Sequence, residues 1–123
     1  MIETIRLSDR ARTQLLTMKR RTGIQNWNVL CRWAFCLSLA ERTVPPPETI
    51  PSDSPVEMSW KTFAGRHENV YWALLVTRAQ QDGVELSDES LNAYFRLHLH
   101  RGISYLQNRV TGGVDELLRL VAA

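Results

Sequence analysis

A mainly α-helical, oligomeric domain is the fold class this sequence predicts, and three observations predict it. Five stretches repeat apolar residues at helical spacing, one N-terminal run alternates like a strand, and one helical stretch is apolar almost all round. A chain of 123 residues with 44% apolar content and four tryptophans can bury a core of its own. The expectation is a single domain over residues 1–123. Within it a strand and two helices occupy 2–41, a proline-rich connector 43–56, and a mainly helical part 57–123.

In the run from Ile2 to Ser8, Glu3, Ile5 and Leu7 fall on one side, and Ile2, Thr4 and Arg6 on the other. A lone strand this short needs a partner, and a second subunit across a two-fold axis would provide one. Ser8 is a helix cap and Asp9 suits a positive helix end, so a helix is expected over Asp9 to Thr22, with Ala11, Leu15 and Met18 inward and Gly23 closing it. Asn26 is the expected cap of a second helix through Ala40. Trp27, Leu30, Cys31, Ala34, Leu37 and Ser38 share its broad inner face, while Val29, Trp33, Phe35, Cys36 and Leu39 fill much of the rest. Such a helix must be covered by the C-terminal half or by another subunit.

The prolines at 45, 46, 47, 51 and 55 forbid regular helix and predict an extended connector. Met58 and Trp60 alternate with Glu57, Ser59 and Lys61, predicting a short extended piece. A helix follows from about His67 to Gln81, with Val70, Tyr71, Leu74, Leu75 and Arg78 on one side, ending at Asp82-Gly83. Ser87 caps the next, whose stripe is Leu91, Tyr94, Phe95, His98 and Leu99, with a possible bend at Gly102 before Ile103, Leu106 and Val110. After Thr111-Gly112-Gly113, Val114, Leu117, Leu118 and Val121 outline a terminal helix.

Net charge is only +2, but its distribution is uneven. Residues 1–43 hold eight Lys or Arg against three acids, net +5, and residues 44–123 seven against ten, net −3. Lys19, Arg20 and Arg21 gather at the end of the first helix, where they also complement its dipole.

Strand, helix, glycine turn and Asn-started apolar helix over about 2–41 resemble the ribbon-helix-helix module. Over its full length the chain resembles the DndE family of bacterial DNA phosphorothioation (sulfur modification) systems. That likeness is carried by Trp-Asn-Val-Leu-Cys-Arg-Trp-Ala-Phe-Cys at 27–36, the proline-rich connector and Gly-Arg-His-Glu-Asn at 65–69. The ribbon-helix-helix resemblance implies base reading by Ile2, Thr4 and Arg6, with Arg6 able to donate twice to guanine. It also implies phosphate contact by the start of the second helix, around Gln25, Asn26 and Asn28. Lys19, Arg20 and Arg21 would add a sequence-neutral, salt-sensitive grip. The DndE resemblance implies a homotetrameric accessory subunit that prefers nicked double-stranded DNA and works beside other DNA sulfur modification proteins. Two other readings remain: an interaction scaffold without DNA binding, and a transcriptional repressor.

Catalysis is not expected. Cys31 and Cys36 stand about 140° apart around their helix, poor geometry for a disulfide or shared metal, and read as reduced core residues. His98 and His100 diverge by about 200°. No Gly-rich phosphate loop or metal-ligand spacing is present, so no cofactor and no metal are expected. Asp88 and Glu89 read as helix-start residues rather than an acid/base pair. No stretch is apolar and long enough to span a bilayer, and a cytoplasmic location is expected.

Overall fold

The structure is a computed structural model that describes residues 2–122. In chain order it comprises β1 (Thr4–Arg6), α1 (Asp9–Thr22), α2 (Trp27–Ala40), β2 (Glu57–Ser59) and α3 (Trp60–Ala64). A 3-10 turn (Gly65–His67) then leads into α4 (Glu68–Gln81), α5 (Asp88–Arg109) and α6 (Val114–Ala122). The mainly α class and the strand-helix-helix start stand as the sequence predicts.

The caps work largely as expected. Ser8 Oγ accepts from Ala11 N at 3.1 Å, Ser87 Oγ accepts from Ser90 N at 3.1 Å, and Gly23 closes α1 at φ 76°. Asn26 is the exception: it stands at the cap position of α2 with no side-chain cap bond.

The strand finds its partner within its own chain. β1 pairs antiparallel with β2 in the register Thr4↔Ser59, Ile5↔Met58 and Arg6↔Glu57, correcting the expectation of a partner from a second subunit. The connector makes this possible by returning beside β1, where Leu7 N donates to Val56 O at 3.0 Å and Ser54 Oγ donates to Leu7 O at 2.8 Å. The extended piece is shorter than its alternation implies because Ser59 Oγ accepts from Thr62 N at 3.0 Å and starts α3. Ile2, expected on the outward face, is buried with Ile5 and Leu7: at the end of so short a strand the chain leaves the pleat and the side chain turns to the core.

α5 is the spine of the core. Its Gly102 lies so close to α2 that a Cβ there would stand 1.7 Å from the carbonyl oxygen of Ala34, so this glycine permits helix contact and α5 continues unbroken through it. Around this crossing Phe35, Phe63 and Phe95 meet with ring centroids 5.1–5.7 Å apart, and Trp60 lies 5.2 Å from both Phe63 and Phe95. Edge and tilted packing of this kind adds about 0.5–1.5 kcal/mol per pair beyond area burial. Leu7, Leu15, Met18, Leu99, Ile103, Leu106 and Leu117 extend the core towards α1 and α6.

Two packing expectations change. On α4 the buried positions are Leu75 and Ala79, while Val70 and Leu74 are exposed at 55% and 41%. Tertiary placement rotates the helix so that Tyr71 and Trp72 reach the aromatic core from its edge. On α2 Cys31 is buried but Cys36 is exposed, since α5 covers the face of Ala34 and Phe35 rather than the whole helix. The side chain of Val121, expected on the α6 stripe, lies outside the described residues.

Candidate nucleic-acid interface

The Gly23 turn places the C-terminal end of α1 beside the N-terminal end of α2, and β2 with α3 closes the space between them. The result is a cavity of about 290 Å³ lined by Lys19, Gln25, Asn26, Trp27, Asn28 and Glu57, among others. Lys19 Nζ sits 3.6 Å above the Trp27 ring centroid, which holds the ammonium at the mouth of the cavity. Because Asn26 does not cap, the amides of Trp27, Asn28 and Val29 have no hydrogen-bond partner among the described residues. Together they form the positive end of a 14-residue helix, the geometry that favours an anion.

Polar groups around the cavity are partly committed. Asn28 Nδ2 donates to Thr62 O at 3.2 Å, and Gln25 Nε2 reaches Gly23 O at 3.5 Å. Arg32 Nη1 donates to Phe63 O at 2.9 Å, fixing α3 against α2. The acid on the rim, Glu57, is paired with Arg6, whose other bond goes to Ser54 O at 3.0 Å. Arg6 therefore neutralises Glu57 beside the cavity instead of standing free for a base edge. Thr4 is exposed on β1 opposite Ser59.

Of the residues singled out in the sequence, the structure brings Lys19, Gln25, Asn26 and Asn28 together and divides the basic triplet. Lys19 turns to α2. Arg21 turns the other way, where Nη1 donates to Gln107 O at 3.0 Å and Val110 O at 3.2 Å, capping the carboxyl end of α5. Arg20 is exposed between them, its guanidinium 3.4 Å from Thr17 Oγ1. Trp27 was not singled out as a site residue. Its signal was an aromatic at the first helical position directly after Asn26, within reach of the preceding basic turn.

Nucleophilic chemistry has little support in the thiols. Burial pushes the Cys31 thiol up to about 12, and partial desolvation by the surrounding side chains raises the surface thiol of Cys36 despite its hydrogen bond with Tyr71. Both remain protonated at neutral pH. Burial lowers His98 and His100 to about 4. Arg101 Nε donates to Ser38 Oγ, which leaves the Ser38 hydroxyl to donate to His98 Nδ1 at 2.8 Å. His100 bridges the Arg96 carbonyl and the Ser8 amide through its two ring nitrogens, at 2.9 and 3.2 Å. Both rings are thus structural and neutral. Among the described residues no group of three or more His, Cys, Asp or Glu could hold a metal ion, and no helix is long and apolar enough to cross a membrane.

Comparison with known proteins agrees with this fold. The chain is similar to the crystal structure of DndE from Escherichia coli B7A, involved in DNA phosphorothioation modification, with a TM-score of 0.73 and 24% identity over 86% of this chain and 98% of that one. It is also similar to the crystal structure of a DndE mutant with two glycine-to-lysine changes, involved in DNA phosphorothioation. There the TM-score is 0.68 and the identity 22%, over 88% of this chain and 99% of that one. No curated protein matches the sequence. The family model described as DNA sulphur modification protein DndE matches residues 4–112. Nearly the whole chain is covered by that match, and the protein belongs to the DndE family.

Proposed function

We propose that this protein is a non-catalytic DNA-binding accessory subunit of the bacterial DNA phosphorothioation machinery, acting in the cytoplasm on nicked double-stranded DNA. Family membership supports a role in that system. The observation that carries the DNA contact is the open N-terminus of α2 beside Lys19: unpartnered amides and an ammonium face one cavity, a pattern suited to a backbone phosphate. The grip is sequence-neutral. Arg6 is held by Glu57 and Ile2 is buried, which removes two of the three expected base readers and disfavours an operator-reading repressor.

Assembly of copies accompanies this role. Val70, Ala73, Leu74 and Thr77 form an exposed, uncharged stripe on α4 beside Cys36 and Ala40 of α2. The Cys36–Tyr71 hydrogen bond and Arg78 bonds to the end of α2 hold the two helices together. A second copy is the occupant we assign to this face, within a homotetramer. The same face favours the alternative of a scaffold that docks other DNA sulfur modification proteins without touching DNA.

Binding to matched intact and centrally nicked duplexes across a salt series tests the reading, with Lys19→Glu, which puts an anion beside the α2 amides, next to the native protein. Nick-preferring, salt-sensitive affinity that falls in the variant is the expected result. A folded oligomer that ignores both duplexes and captures a modification partner would replace DNA binding with scaffolding.

A further inference from the structure

A second cavity, of about 470 Å³, lies on the other side of α1, between α1, the connector and α5. Its size falls within the range of about 300–1,000 Å³ common to small-ligand sites. The apolar part of its lining comes from Pro46, Ile50 and Pro51 of the connector and Leu97 of α5. The floor is polar: Gln14 Nε2 donates to Ser104 Oγ at 3.2 Å, which leaves the Gln14 carbonyl oxygen and the Ser104 hydroxyl hydrogen for a ligand.

Charge is arranged with the same division. Arg10 on the rim is exposed and has no hydrogen bond or ion pair among the described residues. Arg101 is fully committed to Ser38 and Thr43, and Asp53 accepts from Asp9 N at 2.7 Å. Glu48 also belongs to the lining, on the connector, so an anionic group is favoured at Arg10 rather than against the connector wall. Tyr105 borders the space, its ring centroid 4.6 Å from the Arg109 guanidinium and 5.6 Å from that of Arg101.

We propose that this cavity is a nucleotide site that takes one unpaired nucleotide of DNA. The heterocycle lies against the connector prolines and Leu97, its polar edge on Gln14 and Ser104, and its phosphate on Arg10. The site's capacity for a nucleotide stands on its own, while DNA as the source rests on the proposed DNA-binding function. A strand end at a nick supplies such a nucleotide most cheaply, because unstacking costs least where pairing is already broken.

The test titrates dAMP into the native protein, Arg10→Glu and Ser104→Trp, following amide chemical shifts, with inorganic phosphate and deoxyadenosine as separate arms. Saturable dAMP binding that weakens at least about tenfold in either variant is expected, with shifts at Gln14, Leu97 and Ser104. No dAMP binding, binding unchanged in Arg10→Glu, or phosphate binding as tight as dAMP would overturn the proposal. Arg10 is exposed, so that variant stays informative even if Ser104→Trp fails to fold. Nicked duplexes with and without a one-nucleotide flap separate the two readings. Duplex binding without dAMP binding sinks the cavity proposal alone, and dAMP binding without any duplex binding sinks the DNA-binding reading alone.

Discussion

Arg78, Arg96 and Arg101 carry the same charge as Lys19, Arg20 and Arg10, yet the two sets do opposite work. The first set comes from the acidic C-terminal part and is spent on backbone carbonyls. Arg78 donates to Leu39 O, Glu41 O and Thr43 O at 2.7–3.2 Å and pairs with Asp82 at 3.1 Å. Arg101 takes Ser38 O and Thr43 O, while Arg96 joins Arg6 O to Ile50 O and Pro51 O. α2 has no basic residue in its last turn, so two cations from neighbouring helices complete its carboxyl end. The second set sits on α1 with open or lightly engaged heads. Total charge therefore says little about a surface here, and the partner of each guanidinium says much.

Arg78→Ala should break this comparison most severely. It orphans the carbonyls of Leu39 and Glu41, with Thr43 O still held by Arg101, and leaves Asp82, which also accepts from Tyr94, without its cation. A loss of about 3 kcal/mol is expected, read as a lower urea midpoint at unchanged m. An Arg78→Ala protein as stable as the native one would return this arginine to the surface set.

Acidification attacks the same region through its histidines. His98 and His100 titrate near 4 in the folded state against 6.5 for an unburied imidazole. Between those values the unfolded chain binds more protons, so stability is full above pH 6.5 and falls as pH drops towards 4. The slope is at most about 1.4 kcal/mol per pH unit for each ring. Denaturation midpoints at pH 7.5, 6 and 5 check the sign. His100→Gln, which keeps a donor and an acceptor, should flatten part of the slope.

The sequence made the first 41 residues legible because each boundary there has its own local chemistry: Ser8, Gly23 and the prolines after residue 44 each punctuate the chain. The extended piece at Glu57–Ser59 was legible from its alternation, but its pairing with β1 was not, because that pairing is set by the strap of Ser54 and Arg96, which only the folded connector brings beside β1. Nor was the outward turn of Val70 and Leu74, because the apolar pattern of α4 contains two overlapping stripes and tertiary contacts chose the one with Leu75 and Ala79. For the site, residue identity gave the cations but not their direction. Lys19 and Arg21 are two positions apart and therefore about 160° from each other around α1, a difference that acquires meaning only once α2 and α5 occupy the two flanks.

That divergence gives the finest prediction, comparing Lys19→Ala, Arg20→Ala and Arg21→Ala on the same nicked duplex. Arg21→Ala removes a cap from α5 and should cost about 1–2 kcal/mol of stability. Lys19→Ala and Arg20→Ala should stay within about 0.5 kcal/mol of the native protein, as expected at exposed or half-exposed positions. In DNA binding the order reverses. Lys19→Ala should lower the slope of log affinity against log salt by about 1, because it removes one phosphate neutralisation beside the α2 amides. Arg21→Ala should leave that slope unchanged once corrected for folded fraction, since its guanidinium is already held by two carbonyls. Equal slope losses in all three variants would mean that DNA pulls Arg21 off α5, and the triplet would then act as one surface despite its division in the unbound fold.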